Sequence, residues 1–198
     1  MKLAKSIGRL GTETAFEVLA KAKKLEAQGK DIVHLEIGEP DFETPDHIKE
    51  AAKKALDDNF THYVPSPGLM EVREVIAEHQ SDVHNKNISP ENVVFTPGAK
   101  PIMFFTIMAL IEPGDEVIYP NPGFPIYESM INYVGGKAVP MELKEEKGFN
   151  ADVDLIEQSI SDKTKLIILN SPNNPCGSVM ESSDMKRVAD IAKEKDIV

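Results

Sequence analysis

A three-layer α/β fold, with helices on both faces of a mainly parallel sheet, is what this sequence predicts, and three observations carry the prediction. From residue 92 onward, short aliphatic runs alternate with helical patterns. Such runs, exemplified by Leu166-Ile167-Ile168-Leu169, lack polar alternation, as strands covered on both faces require. Clusters of Pro, Gly, Asn and Asp separate the segments, and strand–helix alternation favours a parallel sheet with helices above and below.

Taken in order, Thr14 to Gln28 reads as an amphipathic helix, with Ala15, Val18, Leu19 and Ala22 on one stripe and Gly29 as its stop. Asp31 to Ile37 reads as a short strand leading into the turn-rich Gly38-Glu39-Pro40-Asp41-Phe42. Pro45 opens a second helix with Ile48, Ala51, Ala52, Ala55 and Leu56 inward. After the loop His62 to Gly68, a helix from Leu69 to Val83 turns Val72, Val75 and Ile76 inward. Asn92 to Thr96 is a strand. The helix after it, Ile102 to Ile111, is apolar nearly all round and is expected to be buried, with Pro101 in its first turn. Glu116 to Tyr119 is a strand. Pro125 opens a helix with Tyr127, Met130, Ile131 and Val134 on one face, stopped by Gly135-Gly136. Lys137 to Leu143 is a strand, Asp152 to Ile160 a helix, and Lys165 to Asn170 a strand. The last helix starts at Ser182 or Ser183 as N-cap, with Met185, Val188, Ala189 and Ala192 on one face. Asp196-Ile197-Val198 reads as the start of a further strand, so the sequence is expected to be a fragment.

Composition narrows the function classes. The 198 residues suffice for a sizeable core. The net charge of −11 argues against nucleic-acid and anionic-membrane partners, which want basic surface. Cys176 is the single cysteine, which fits a reducing cytoplasm. Met1 to Gly11 lacks the apolar core of a signal peptide, and Ile102 to Ile111 is too short to span a bilayer. The histidines His34, His47, His62, His79 and His84 show no metal-ligand spacing.

Five segments can carry chemistry. Thr96-Pro97-Gly98-Ala99-Lys100 joins a strand to a helix N-terminus, where free N–H groups and the helix dipole favour an anion. Gly98 and Ala99 are small enough for a phosphate to approach; an ordinary strand-to-helix turn reads the same way, and the P-loop ending is missing. Phe124, just past a strand's carboxyl end, suits stacking on a flat heteroaromatic ring or a plain packing role. Ser171-Pro172-Asn173-Asn174-Pro175-Cys176-Gly177 ends a strand abruptly where ligands of open α/β sheets lie; taken alone it reads as a turn. Gly38 and Tyr63 sit in turn-rich segments and read equally as a turn glycine and a packing tyrosine.

Together, and in this order, these segments resemble the class I/II aminotransferases, which use pyridoxal phosphate. Asn174-Pro175-Cys176-Gly177 resembles their Asn-Pro-Thr-Gly signature, with Cys176 at the Thr position. Pro175 and Gly177 keep the turn, so the change is read as tolerated, and a reactive Cys176 has no visible base or cation beside it. The resemblance runs from about Gly29 to Val198. It implies that Gly98, Ala99 and Lys100 hold the cofactor phosphate, mostly through backbone amides, and that Phe124 lies against the pyridine ring. It implies that Asn174 bonds the phenolic oxygen, that the backbone of Gly38 lies near the substrate carboxylate, and that Tyr63 reaches the phosphate of the neighbouring subunit in a homodimer. The implied fold is an incomplete fold type I large domain, with residues 1–44 as N-terminal arm and part of a small domain and 45–198 as the first part of the large domain.

The implied reaction moves an amino group from an amino acid to a 2-oxo acid. In the family the Schiff-base lysine, the Asp at the pyridine nitrogen and the carboxylate-gripping Arg lie after the position of Val198, so no catalytic residue is assigned and the chain is expected to be inactive alone. Lys100 belongs to the phosphate turn, and Arg9, Arg73 and Arg187 stand in no matching place. A lyase or decarboxylase on the same scaffold, or a non-catalytic binding or dimerising module, are the alternatives.

Overall fold

The computed structural model describes residues 2–11 and 14–198. Two compact units divide the chain, Met1–Thr14 with Lys100–Val198, and Ala15–Ala99.

The first unit is the layered α/β structure that the alternation predicts. Its helices are α4 (Ala99–Leu110), α5 (Ile126–Val134), α6 (Val153–Ser159) and α7 (Ser182–Lys195), and its strands are β1 (Glu116–Asn121), β2 (Lys137–Glu142) and β3 (Thr164–Ile167). All pairings are parallel, in the order β2-β1-β3. Successive strand residues face opposite ways, so β1 feeds two cores. Val117 and Tyr119 pack with Ile107 of α4, Ile111 just after it, Tyr127 and Ile131 of α5, and Leu166. Ile118 packs on the other face with Met141, Leu143, Val153 and Ile156 of α6, and Val188 and Ile191 of α7. Because both faces are covered, the central strand has no polar alternation. Glu116, at its buried start, accepts from Lys137 Nζ (2.7 Å) and Ser161 Oγ (2.6 Å). Those two bonds, Lys137 first, hold its carboxyl below the usual range.

The strand expected to start at Asp196 is not assigned: Asp196, at φ +56°, caps α7, while Val198 pairs with β3 through its backbone. Val198 N–H donates to Lys165 O (3.1 Å), and Ile167 N–H donates to Val198 O (2.9 Å). At the other end of the chain, a 3-10 turn (Lys5–Arg9) lies on α5. Arg9 donates to Asn132 O (2.8 Å) and Tyr133 O (2.6 Å), carbonyls of the last turn of α5.

This unit departs from the sequence reading at the start of α7, whose N-cap is Glu181 rather than Ser182 or Ser183, and at α4. α4 was expected to be buried all round. Only Ile107 is buried, while Ile102, Phe105 and Met108 are 48, 52 and 52 % exposed. The apolar stripe facing the sheet is covered, and no described residue covers the opposite one.

The second unit holds α1 (Thr14–Glu26), α2 (Asp46–Asp57) and α3 (Met70–His84). Gly29, at φ +83°, ends α1, with Lys30 N–H bonded to Leu25 O (3.2 Å). Residues 31–37 and 92–96, expected to be strands, form no ladder among the described residues; β propensity alone does not make a strand without a neighbour to accept its bonds. The faces expected inward are also open. α2 buries none of its residues, and Val72 and Val75 of α3 are exposed, whereas Arg73 and Ala77 are buried.

One polar link ties the end of α1 to the 31–37 segment. His34 bonds Glu36 through Nδ1 (2.6 Å) and Glu26 through Nε2 (2.8 Å). The Glu36 bond first, then the Glu26 bond, raise the His34 pKa above its ordinary 6.5, and the same His34 bond lowers Glu36 below 4.5. A raised histidine stabilises fully below its unfolded value and loses that contribution as pH rises through its folded value. A lowered carboxylate stabilises above its unfolded value and loses the contribution as pH falls through its folded one. The link is therefore expected to be complete between the two ordinary values, pH 4.5 to 6.5. Proton NMR titration of the His34 ring should give a midpoint above 6.5; a midpoint at or below it would show that the link does not form.

Candidate active site

β1 and β3 are parallel neighbours, so their carboxyl ends open on the same side of the sheet. Two of the singled-out segments follow those ends. After β1, Gly123 and Phe124 lead into α5, whose N-cap is Pro125. Phe124 is half-buried, set edge-on to the buried Tyr127 at 6.0 Å between centroids, so its ring is held while part of it stays open. The Lys100 ammonium lies over the same ring, 5.7 Å from its centroid. Burial, followed by the charge of Glu128, pushes the Tyr119 hydroxyl up to about 12, so it stays protonated at neutral pH.

After β3 the chain runs through the Ser171–Gly177 loop, in which the Ser171–Pro172 and Asn174–Pro175 peptides are cis, as is Asn121–Pro122 after β1. Asn173 ties the loop together. It is buried, its Oδ1 accepts from Cys176 N–H (3.2 Å), its O accepts from Gly177 N–H (2.7 Å), and its own N–H donates to Ser178 O (2.8 Å). Asn170 Oδ1 accepts from Asn174 N–H (2.7 Å). With its backbone so fixed, Asn174 presents an exposed side-chain amide that makes no hydrogen bond among the described residues. The free thiol of Cys176 is partly buried in the same loop. Sequence reasoning singled out Asn174 and passed over Asn173 and Asn170; a doubled asparagine after a strand was the available signal, since only one can face outward.

The Thr96–Lys100 turn is built by its own atoms. Gly98 N–H donates to Thr96 O (2.8 Å) and Thr96 Oγ1 donates to Gly98 O (2.8 Å). Gly98 sits at φ +90°, and nothing lies within 4 Å of where a Cβ would be. Ala99 and Lys100 open α4, ahead of its first intrahelical bond, Pro101 has no N–H, and the first turn carries no acidic residue. An open glycine, helix-terminal donors and a cation fit a phosphate dianion. The Gly98 amide is already bonded within the turn, so an anion at this point would face the N–H groups that follow it at the start of α4.

In the second unit, Tyr63 is fully exposed and Gly38 is exposed with open space around its α-carbon. Among the described residues no group of His, Cys, Asp and Glu could hold a metal ion, and no helix is long and apolar enough to cross a membrane.

The class these features define is a layered α/β protein with a glycine turn at a helix start and an aromatic and an asparagine after its strands, and comparison with known proteins gives its family. Residues 30–198 match the family Aminotransferase class I and II. A probable aspartate/prephenate aminotransferase of Aquifex aeolicus is 40% identical over 195 residues, which cover 98% of this chain and 50% of that protein. The aspartate/prephenate aminotransferase of Thermus thermophilus is 38% identical over 194 residues, with 98% and 50% covered. The structure of the Thermus thermophilus aspartate aminotransferase with maleate superposes with a TM-score of 0.94 at 37% identity, covering 100% of this chain and 52% of that one. Alanine aminotransferase from Pyrococcus furiosus gives 0.93 at 32% identity, covering 99% and 50%. The α/β unit is thus part of a fold type I large domain. The chain belongs to the class I and II aminotransferase family, and it spans about half the length of the curated relatives it matches.

Proposed function

We propose that this chain is the N-terminal portion of a pyridoxal-phosphate-dependent aminotransferase that moves an amino group from an amino acid to a 2-oxo acid. The turn that opens α4 carries the proposal. Its open glycine at positive φ is followed by two helix-terminal N–H groups and a lysine, and none of the first-turn residues is acidic. Gly98, Ala99 and Lys100 hold the phosphate, Phe124 flanks the pyridine ring, and Asn174 donates to the phenolic oxygen and favours its ionised form. Gly38 lies near the substrate carboxylate, and Tyr63 reaches the phosphate of a neighbouring subunit, so the working unit is a homodimer. The bound cofactor supplies the electron sink for chemistry at the substrate α-carbon. The residues of this chain bind and orient it. The lysine that joins it covalently lies outside these 198 residues, so the chain alone does not turn over. A single cysteine supports a reducing, cytoplasmic setting.

Adding pyridoxal phosphate, recording the visible spectrum, reducing with borohydride and mapping labelled lysines by mass tests the reading. Scattered or absent labelling is expected. Stoichiometric labelling of one lysine would overturn the assignment of that residue to sequence beyond Val198.

A further inference from the structure

We infer that Arg73 is a positioning residue that sets the phosphate turn and the Tyr63 loop as one rigid bracket; the inference rests on reading Gly98–Lys100 as the phosphate cradle. Arg73 is an arginine where a helix face would carry an apolar residue, and it is only 5% exposed. Its Nε donates to Val93 O (2.9 Å) and Pro90 O (3.1 Å), and its Nη2 donates to Pro90 O (2.8 Å). The fourth contact, to Glu91 (3.3 Å), is to an exposed carboxylate and adds little. A buried charge is tolerated when its donors are bonded, and here backbone carbonyls accept from Nε and Nη2. The planar fork makes several bonds at fixed angles, which a lysine cannot reproduce.

What the fork holds is the run-up to the turn. Pro90–Asn92 is a 3-10 turn closed by Ser89, whose Oγ accepts from Glu91 N–H (3.2 Å) and whose N–H donates to Asn92 Oδ1 (3.2 Å). Val93 leads through Phe95 to Thr96 and Gly98. At Phe95 a second tie appears. Its N–H donates to Pro67 O (2.9 Å), and Gly68, at φ +103°, lies against its Cβ, 2.9 Å from where a Gly68 Cβ would stand. Gly68 in turn closes a turn on Pro65 (2.8 Å), two residues after Tyr63. The 62–68 loop and the 93–98 segment are therefore joined at Pro67-Gly68/Phe95, and α3 grips the second of them through Arg73. A shift in either is passed to the other. In a dimer with shared sites, this bracket fixes the phosphate turn of one site and the tyrosine offered to the next in a single geometry.

The test uses the whole 198-residue chain, 15N-labelled, and Arg73→Lys with Glu91→Gln as control. Arg73→Lys should move the Gly98 and Tyr63 amide resonances together, and should weaken pyridoxal phosphate binding roughly ten- to a hundredfold. Glu91→Gln should leave both unmoved. A folded Arg73→Lys chain with a lowered melting midpoint but unmoved Gly98 and Tyr63 resonances would reduce Arg73 to a packing role and overturn the inference. If Arg73→Lys does not fold, amide exchange in the unaltered chain decides. Gly68 and Phe95 should exchange through one common opening, and independent exchange overturns the bracket. Should the unaltered chain show no cofactor-induced shift at Gly98, the phosphate reading falls, while the linked Gly98 and Tyr63 shifts still judge the bracket.

Discussion

Gly123→Ala is expected to destabilise the chain by about 3 kcal/mol or more. A Cβ at this position would stand 2.1 Å from Pro120 O, and 3.1 and 3.3 Å from Pro120 C and Cγ. Side chains relieve such overlaps by rotating, but here the obstacle is a carbonyl of the main chain. Pro120 belongs to β1 and is among the most fully buried residues, so it has no room to retreat. The strand end or the Gly123-Phe124 turn must distort. At roughly 2–4 °C per kcal/mol for a chain of this size, the melting midpoint should fall by about 6–12 °C, read by circular dichroism. The adjoining Phe124 ring should shift with the turn and weaken cofactor binding in whatever fraction stays folded. A midpoint within about 2 °C of the unaltered chain would mean that the turn is not built as described.

Ile118→Ala is expected to cost about 3–4 kcal/mol, within the usual range for a buried isoleucine cut back to alanine. Ile118 is completely buried at the centre of the middle strand, packed against residues from β2, α6 and α7. Its carbonyl accepts from Ile168 N–H (2.8 Å), so both the sheet and the outer layer meet at this residue. Neighbours on three elements cannot all collapse into the space left behind. The comparison that gives the result meaning is Ile102→Ala on α4. Ile102 is as apolar but half exposed, and its loss should change stability by about 0.5 kcal/mol or less. Urea unfolding of the two variants side by side measures the contrast. Equal losses would show that the exposed face of α4 is covered in solution.

That contrast also shows how far the sequence could be read. The strands β1, β2 and β3 lie where aliphatic runs place them, because a strand buried on both faces has no polar residue to spare. Helix ends were equally legible where the stop is a backbone requirement, as at Gly29 and Gly135, both at positive φ. The Gly98 turn and the Ser171–Gly177 loop could be located for the same reason: Gly, Pro and Asn restrict or release the chain locally, whatever surrounds it. Less visible was which face of a helix finds a partner. Val72 and Val75 read as the inner face of α3, yet Arg73 is the buried residue, because three carbonyl bonds satisfy its guanidinium. The apolar faces of α2 and α4 were read correctly as apolar and wrongly as covered. Hydrophobicity states that a surface gains by burial, and only the packing shows whether something is there to bury it. The chain spans about half the length of its curated relatives, and these faces are not covered by any described residue.

What the sequence determined by itself was the layered α/β class, the positions of β1, β2 and β3 and the turns that end them, since each depends on spacing or on the φ limits of single residues. Only the tertiary structure decided the strand order β2-β1-β3, the division of β1 between two cores, and the Arg73 bracket. Those depend on contacts between residues far apart in the chain, and no local spacing records which distant carbonyl or side chain will arrive.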